Sequence, residues 1–95
     1  MVAEISSGDP YQDYELMNGD ILRKFDADVE ESELVWHRDY ESRQVYVQQG
    51  DGWKLQMDNQ LPKELKMNDV ILIPSMTYHR LIKGTSSLIV RIKEL

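Results

Sequence analysis

The sequence predicts an all-β fold, and three observations carry that prediction. Short apolar segments recur between turn signals at the spacing of strands. The stretch from Trp53 to Asp58 alternates strictly, with Trp53, Leu55 and Met57 on one face and Lys54, Gln56 and Asp58 on the other. No segment after residue 20 carries the 3.6-residue period of an amphipathic helix. Roughly six to eight short strands at this spacing argue for a sandwich or barrel.

Taken in order, residues 1–18 read as an irregular N-terminal arm or tail, with the breaker-rich run Ser6-Ser7-Gly8-Asp9-Pro10 at its centre. Such an arm either moves freely or packs on a neighbouring chain. Residues 19–95 read as the folded domain. Asn18-Gly19-Asp20 is a turn signal, and Ile21–Phe25 follows as a short strand. Leu34–His37 is the next strand, and Arg43–Gln49 the one after, with Val45 and Val47 on one face. That alternation points Arg43 inward with the valines. Gly50-Asp51-Gly52 reads as a tight hairpin turn into the Trp53 strand. Leu61–Met67 holds one more short strand after Pro62. Val70–Pro74 is apolar throughout and is expected deep in the fold. Tyr78–Ile82, a second hairpin turn at Lys83-Gly84-Thr85-Ser86, and Leu88–Ile92 complete the chain.

Composition narrows the function classes. Ninety-five residues make one core. The absence of cysteine excludes disulfides and thiol chemistry. The longest apolar run, Val70-Ile71-Leu72-Ile73, is too short to span a bilayer as a helix, and the N-terminal residues lack a signal-peptide pattern, so a cytoplasmic protein is expected. The net charge of −6 is uneven: residues 1–35 carry −8 and residues 36–95 carry +2. That balance argues against nucleic acid as a partner, because phosphate contacts need clustered Lys and Arg.

The chemistry-bearing residues concentrate in Trp36-His37-Arg38-Asp39-Tyr40-Glu41-Ser42-Arg43 and in the one other histidine, His79. In an extended segment His37 and Asp39 face the same way. A fold that laid the His79 strand beside them would assemble two imidazoles and a carboxylate. Those are the donors of the two-His, one-carboxylate set that binds Fe(II), and that also suits Mn, Ni or Zn. Two similar-looking patterns carry no chemistry here. His37-Arg38-Asp39 lacks the rest of a kinase, and Ser75 before His79 lacks an oxyanion hole and a third partner.

The order and spacing resemble the cupin superfamily over residues 34–83. Its first motif is matched by His37-Arg38-Asp39, then Arg43, then Gly50; its second by Asn68, Pro74-Ser75-Met76 and His79. The resemblance implies a double-stranded β-helix, a small jelly-roll barrel. His37 and His79 stand at ligand-histidine positions of the family, and Asp39 stands where a further histidine is usual. Arg43 occupies the usual glutamate position, where a cation cannot ligate a metal. Asn68 and Met76 replace glycines, and Met76 is expected to place bulk near the pocket mouth.

Two readings stay open. In one, His37, Asp39 and His79 hold a divalent ion (Fe, Mn, Ni or Zn) and Arg43 clamps a small anionic ligand. In the other, Arg43 pairs with Asp39 or Glu41, no ion binds, and the domain is a metal-free module for a sugar-like ligand or a protein partner. A third alternative is a minimal Fe(II) oxygenase-like enzyme. The His-x-Asp…His order also resembles 2-oxoglutarate-dependent oxygenases, and Arg91 stands near their co-substrate arginine, although its alternation with Val90 and Ile92 points it to solvent. The run through Trp36–Asp39 and Asp58–Pro62 further resembles small cupin-like proteins of phage genomes, whose activity is generally unassigned. If His37 faces a cavity, Trp36 faces out, and it is the expected interface residue of a homodimer.

Overall fold

The computed structural model describes residues 2–6 and 10–95, with side chains from residue 10 onward. Among the described residues nine strands run in chain order: β1 (Val2–Ser6), β2 (Gln12–Leu16), β3 (Ile21–Phe25), β4 (Arg43–Gln49), β5 (Lys54–Met57), β6 (Lys63–Glu64), β7 (Val70–Ile73), β8 (His79–Ile82) and β9 (Leu88–Glu94). A single 3-10 turn, Glu31–Glu33, lies between β3 and β4. The strands form two antiparallel sheets, one ordered β1-β2-β3-β9-β4-β7 and one ordered β6-β5-β8. Neighbours in the sheets are mostly distant in sequence, as in a jelly roll. The all-β barrel expected from the sequence is the fold observed.

The core lies between the sheets. Val45 and Val47 of β4, Leu88, Val90 and Ile92 of β9, Ile71 and Ile73 of β7, and Leu55 of β5 all point inward by the period of two. Trp53 and Leu88 are wholly buried at one end of the barrel. Trp53 Nε1 donates to the Ser86 carbonyl at 2.7 Å, so the ring's only donor is satisfied there.

Four local expectations change. First, the arm contributes strands: β2 pairs with β3, and β1 with β2. Strand β2 is Gln-Asp-Tyr-Glu-Leu; its one apolar alternation, Tyr14 and Leu16, is too short to mark a strand, and the residue it buries is Asp13. Its backbone ladder and a cross-strand Asp13–Arg23 ion pair fix it instead. The centre of the breaker-rich run, residues 7–9, lies outside the described residues. Second, Leu34–His37 does not form a strand; only His37 pairs, through an isolated bridge to His79. Third, β7 is the edge of its sheet rather than a deep strand. Ile71 and Ile73 are buried, but Val70 and Leu72 are 52% and 53% exposed.

Fourth, the two glycine turns are not hairpins. Gly50-Asp51-Gly52 carries the chain from β4 in the large sheet to β5 in the small one, and Gly84 lies on the return from β8 to β9. The turns clasp each other: Thr85 N–H donates to the Asp51 carbonyl at 3.0 Å, and Asp51 N–H donates to Ser86 Oγ at 2.9 Å. A side chain at Gly84 would collide with the Asp51 carbonyl oxygen and the Trp53 backbone nitrogen, neither of which can yield. Gly84→Ala is therefore expected to cost about 3 kcal/mol, the upper end for overpacking. A urea unfolding midpoint close to that of the unaltered chain would contradict this packing.

Candidate functional site

The candidate site sits where the interior turns polar. Arg43 begins β4 on the same face as Val45 and Val47, His79 begins β8 on the same face as Leu81, and Arg23 shares the inner face of β3 with Phe25. These side chains, with His37 and Asp39, are brought to one end of the barrel.

The bridge between residues 37 and 79 sets the histidine geometry. His37 N–H donates to the His79 carbonyl at 3.0 Å, and His79 N–H returns the bond to the His37 carbonyl at 2.9 Å. Residues paired this way project side chains to the same side. The two imidazoles accordingly meet edge to face with centroids 4.3 Å apart. Asp39 is placed from the opposite direction. Its carbonyl accepts from Met76 N–H at 2.7 Å, and the flanking Ser42 Oγ accepts from Ser75 N–H at 3.0 Å. Met76 holds φ = 59° to make that contact, a left-handed conformation costly for a side chain with a Cβ. Asn68 is left-handed too, at φ = 73°, as its amide side chain tolerates. Met76 itself is half exposed and lines neither cavity, contrary to the expected bulk at the mouth.

The result is a convergent donor set: one ligand atom from each of His37, Asp39 and His79, all within 4.8 Å of one another. The hydrogen bonds around it fix which atoms are free. His37 Nδ1 lies 3.0 Å from the Val35 carbonyl, and His79 Nδ1 lies 2.8 Å from the Thr77 carbonyl. A carbonyl only accepts, so each Nδ1 carries a proton, and Nε2 is the nitrogen that offers its lone pair when the ring is neutral. Asp39 Oδ2 is buried and lacks a hydrogen-bond partner among the described residues. It lies 3.5 Å from both His79 Nε2 and Arg43 Nη1. The donors on one ion at about 2.1 Å would stand roughly 3 Å apart, so closing on an ion takes a movement on the order of 1 Å. The donor set fits a divalent metal.

His79 is neutral in this setting. Burial lowers its pKa, as do neighbouring His37 and Arg43, and this outweighs the Thr77 hydrogen bond and the Asp39 charge. The His79–Asp39 contact is thus no ion pair at neutral pH. Arg43 is drawn two ways: Nη1 toward Asp39 and Nη2 toward Glu94, each at 3.5 Å, while its buried Nε has no partner among the described residues. It is inward, as its shared face with the valines predicts.

A cavity of about 270 Å³ opens over the donors, lined by Pro10, Tyr11, Arg23, Phe25, residues 33–35, His37, Asp39, Arg43 and Leu81. A smaller space of about 70 Å³ continues into the apolar interior and brings in His79. Arg23 is the site residue that sequence reasoning missed. Its Nε and Nη2 donate to the two oxygens of Asp13 at 2.7 and 2.8 Å, and its guanidinium lies 3.7 Å over the Tyr11 ring. Burial pulls its pKa down, but Asp13, Tyr11 and Asp39 more than offset this and raise it. The alternation Tyr11, Asp13, with Arg23 across the following turn, is the signal that could have revealed it. Arg91 does not join the site. It pairs with Asp20 at 2.6 Å and stacks on Tyr46 at 3.9 Å, on the face of β9 opposite the core residues Val90 and Ile92. Trp36 is 42% exposed, with the Arg80 guanidinium 4.9 Å from its ring centroid.

No family model matches the chain, and no curated protein matches it in sequence. Solved structures do resemble it. Fe(II)-HppE with the alternative substrate (S)-1-HPP is 14% identical with a TM-score of 0.75, over 99% of this chain and 56% of that one. An RmlC-like cupin family protein with a double-stranded β-helix fold from Methanocaldococcus jannaschii is 12% identical with a TM-score of 0.65, over 97% and 75%. The DMSP lyase DddQ from Ruegeria pomeroyi DSS-3 is 14% identical with a TM-score of 0.65, over 90% and 38%. The chain thus spans little more than half of the first of these proteins and under half of the last. At such identities the likeness establishes the fold, a small cupin-type double-stranded β-helix. No helix among the described residues is long and apolar enough to cross a membrane.

The lowered pKa of His79 has a consequence for stability. Below its ordinary value near 6.5 the unfolded chain takes up a proton that the folded chain refuses. Its contribution is complete above that value and declines as the pH falls through it toward the lower folded value. The chelator-treated protein should therefore lose stability as the pH falls below about 6.5, and His79→Gln should flatten that segment of the curve. Urea midpoints with the same slope in both proteins would contradict the assignment.

Proposed function

We propose that this chain is a metal-binding small-molecule module, in which His37, Asp39 and His79 hold a divalent ion and the adjoining cavity takes a small anionic ligand. One observation carries the reading. Two imidazoles spend their Nδ1 protons on backbone carbonyls, and they converge, His79 Nε2 at 3.5 Å, on a buried carboxylate oxygen that no hydrogen bond among the described residues satisfies. His79 is buried and Asp39 half-buried, with the Arg43 guanidinium the only cation near that oxygen among the described residues, at 3.5 Å; a cation reached from the exposed His37 side would satisfy the three acceptors together. The ion would be Fe, Mn, Ni or Zn, which share affinity for imidazole and carboxylate. Bound there, it supplies Lewis acidity or, for iron, oxygen activation. Fe(II) in one structurally similar protein accords with the reading.

The chain's own residues have separate tasks. The Val35 and Thr77 carbonyls hold the ring orientations, and Met76 N–H holds the Asp39 backbone. Arg43 neutralises Asp39 when no ion is bound and contacts a ligand anion when one is. Arg91 lies on the wrong face to hold a co-substrate in this cavity, which weighs against the oxygenase-like alternative. The metal-free alternative rests on the 3.5 Å approach of Arg43 to Asp39. The two differ in one measurement. Protein purified without affinity tag or chelator, then analysed for elements, should carry close to one Fe, Mn, Ni or Zn per chain. His79→Ala and Asp39→Asn should weaken binding by at least about 100-fold, beyond the usual effect of losing a supporting contact, with circular dichroism unchanged. Absence of metal even after loading with each ion would leave the metal-free module.

Pairing with a second copy through Trp36 belongs to the same reading. Trp36 with Arg80, and Tyr78 with Arg38, form two exposed aromatic–arginine contacts on the outer side of the bridged segment. Trp, Tyr and Arg are the residues that dominate interface energetics. The protein should elute as a dimer, and Trp36→Ala should weaken association by about 2 kcal/mol. Light scattering that gives a monomer at all concentrations would remove this part.

A further inference from the structure

We infer that the cavity binds its ligand through a carboxylate seated on Arg23, so that the ligand is a small organic acid. This deepens the proposed function by naming the ligand's chemical class. It rests on the cavity being a ligand site but does not need the ion.

Arg23 is a prepared anion contact. Asp13 occupies the Nε/Nη2 edge at 2.7 and 2.8 Å, and Tyr11 fixes the guanidinium plane from below at 3.7 Å. Arginine has five N–H donors, and Asp13 takes two. The Nη1 donors have no hydrogen-bond partner among the described residues, and the end-on Nη1/Nη2 edge is left. Arg23 lines both the outer cavity and its inner extension. Its side chain is only 16% exposed. Unlike Arg43 Nε, Arg23 Nη1 is not cut off from solvent, so a half-buried guanidinium borders the cavity with donors that a ligand acceptor can take from water. The remaining edge is a planar fork, which matches a carboxylate in a two-bond arrangement.

The ion pair with Asp13 explains how Arg23 is held. It does not explain why the pair faces inward, where it borders the candidate metal donors. Arg91 and Asp20 show that this sheet can carry an arginine–aspartate pair on its outer face. Size and charge agree with the assignment. About 270 Å³ is below the roughly 300 Å³ at which drug-sized pockets begin. The charges lining the outer cavity, Arg23 and Arg43 against Asp39 and Glu33, cancel. A divalent ion there would leave an excess of positive charge, and a carboxylate would offset it.

The test is an NMR titration of the full, ¹⁵N-labelled chain, followed at the arginine Nε–H signals. Three probes are used, namely succinate, its neutral diamide succinamide, and inorganic phosphate, each with the protein as purified and after zinc loading. Succinate should saturate and shift the Arg23 signal, and succinamide should not. Arg23→Lys keeps a cation for Asp13 but loses the fork, and it should weaken succinate by about 10-fold or more with circular dichroism and metal content unchanged. If that variant does not fold, the assigned Arg23 signal of the unaltered chain decides. Succinate binding that ignores Arg23→Lys, shifts confined to Arg43, phosphate binding without succinate binding, or no binding at all would each overturn the inference. Metal content measured on the same samples keeps the two readings apart. Retained metal with no succinate binding defeats only the carboxylate, and succinate binding without metal defeats only the ion.

Discussion

Two backbone hydrogen bonds between His37 and His79 hold the candidate site together. They join residues far apart in the chain and attach an otherwise irregular segment to the edge of β8. Because such a pair projects its side chains to one side, it fixes the imidazoles against each other and sends Trp36 and Arg38 outward. Everything polar at this end of the barrel is arranged around that seam. Asp39 reaches it from the far side only because Met76 accepts a left-handed backbone conformation, at a cost of about 1 kcal/mol, to direct its N–H at the Asp39 carbonyl. Strain at that turn and order at the donors are parts of one arrangement.

Three arginine–aspartate pairs among the described residues show how the molecule distributes its charge. Arg23–Asp13 is bidentate at 2.7 and 2.8 Å, and Arg91–Asp20 closes at 2.6 Å. Each also stacks its guanidinium on a tyrosine, Tyr11 or Tyr46. The third pair, Arg43–Asp39, stays at 3.5 Å, with the carboxylate Oδ2 and guanidinium Nε both lacking hydrogen bonds among the described residues. The incomplete pair is the one at the donor cluster. Complete pairs brace strands; an incomplete, buried one has capacity left for something else, and its Asp39 oxygen lies 3.5 Å from His79 Nε2.

Most of the fold was legible because its signals are local. The alternation of Val45 with Val47 and of Leu55 with Met57 reports a strand with one buried face wherever that strand pairs. Ile21–Phe25 and Arg43–Gln49 were read at the bounds observed. Strand β2 was illegible because its side chains are mainly polar and its stability comes from a backbone ladder and one ion pair across to β3. The exposed side of β7 was hidden by the same logic in reverse. An apolar run reads as buried on both faces, and only the sheet order makes it an edge.

What the sequence determined by itself is most of the strands after residue 20 and the chemistry available: period-two strands, glycine turns, two histidines, an aspartate two residues from one of them, and an inward arginine on β4. Those properties follow from residue types and spacings within a few positions. Only the tertiary structure decided that the glycine turns cross between sheets, that His37 and His79 share a bridge, that Arg91 is spent on Asp20, and that Arg23 borders the cavity. Each of these depends on which distant segments pair. Pairing is chosen by burying all the apolar faces at once around Trp53 and Leu88, a property of the whole chain that no single stretch contains.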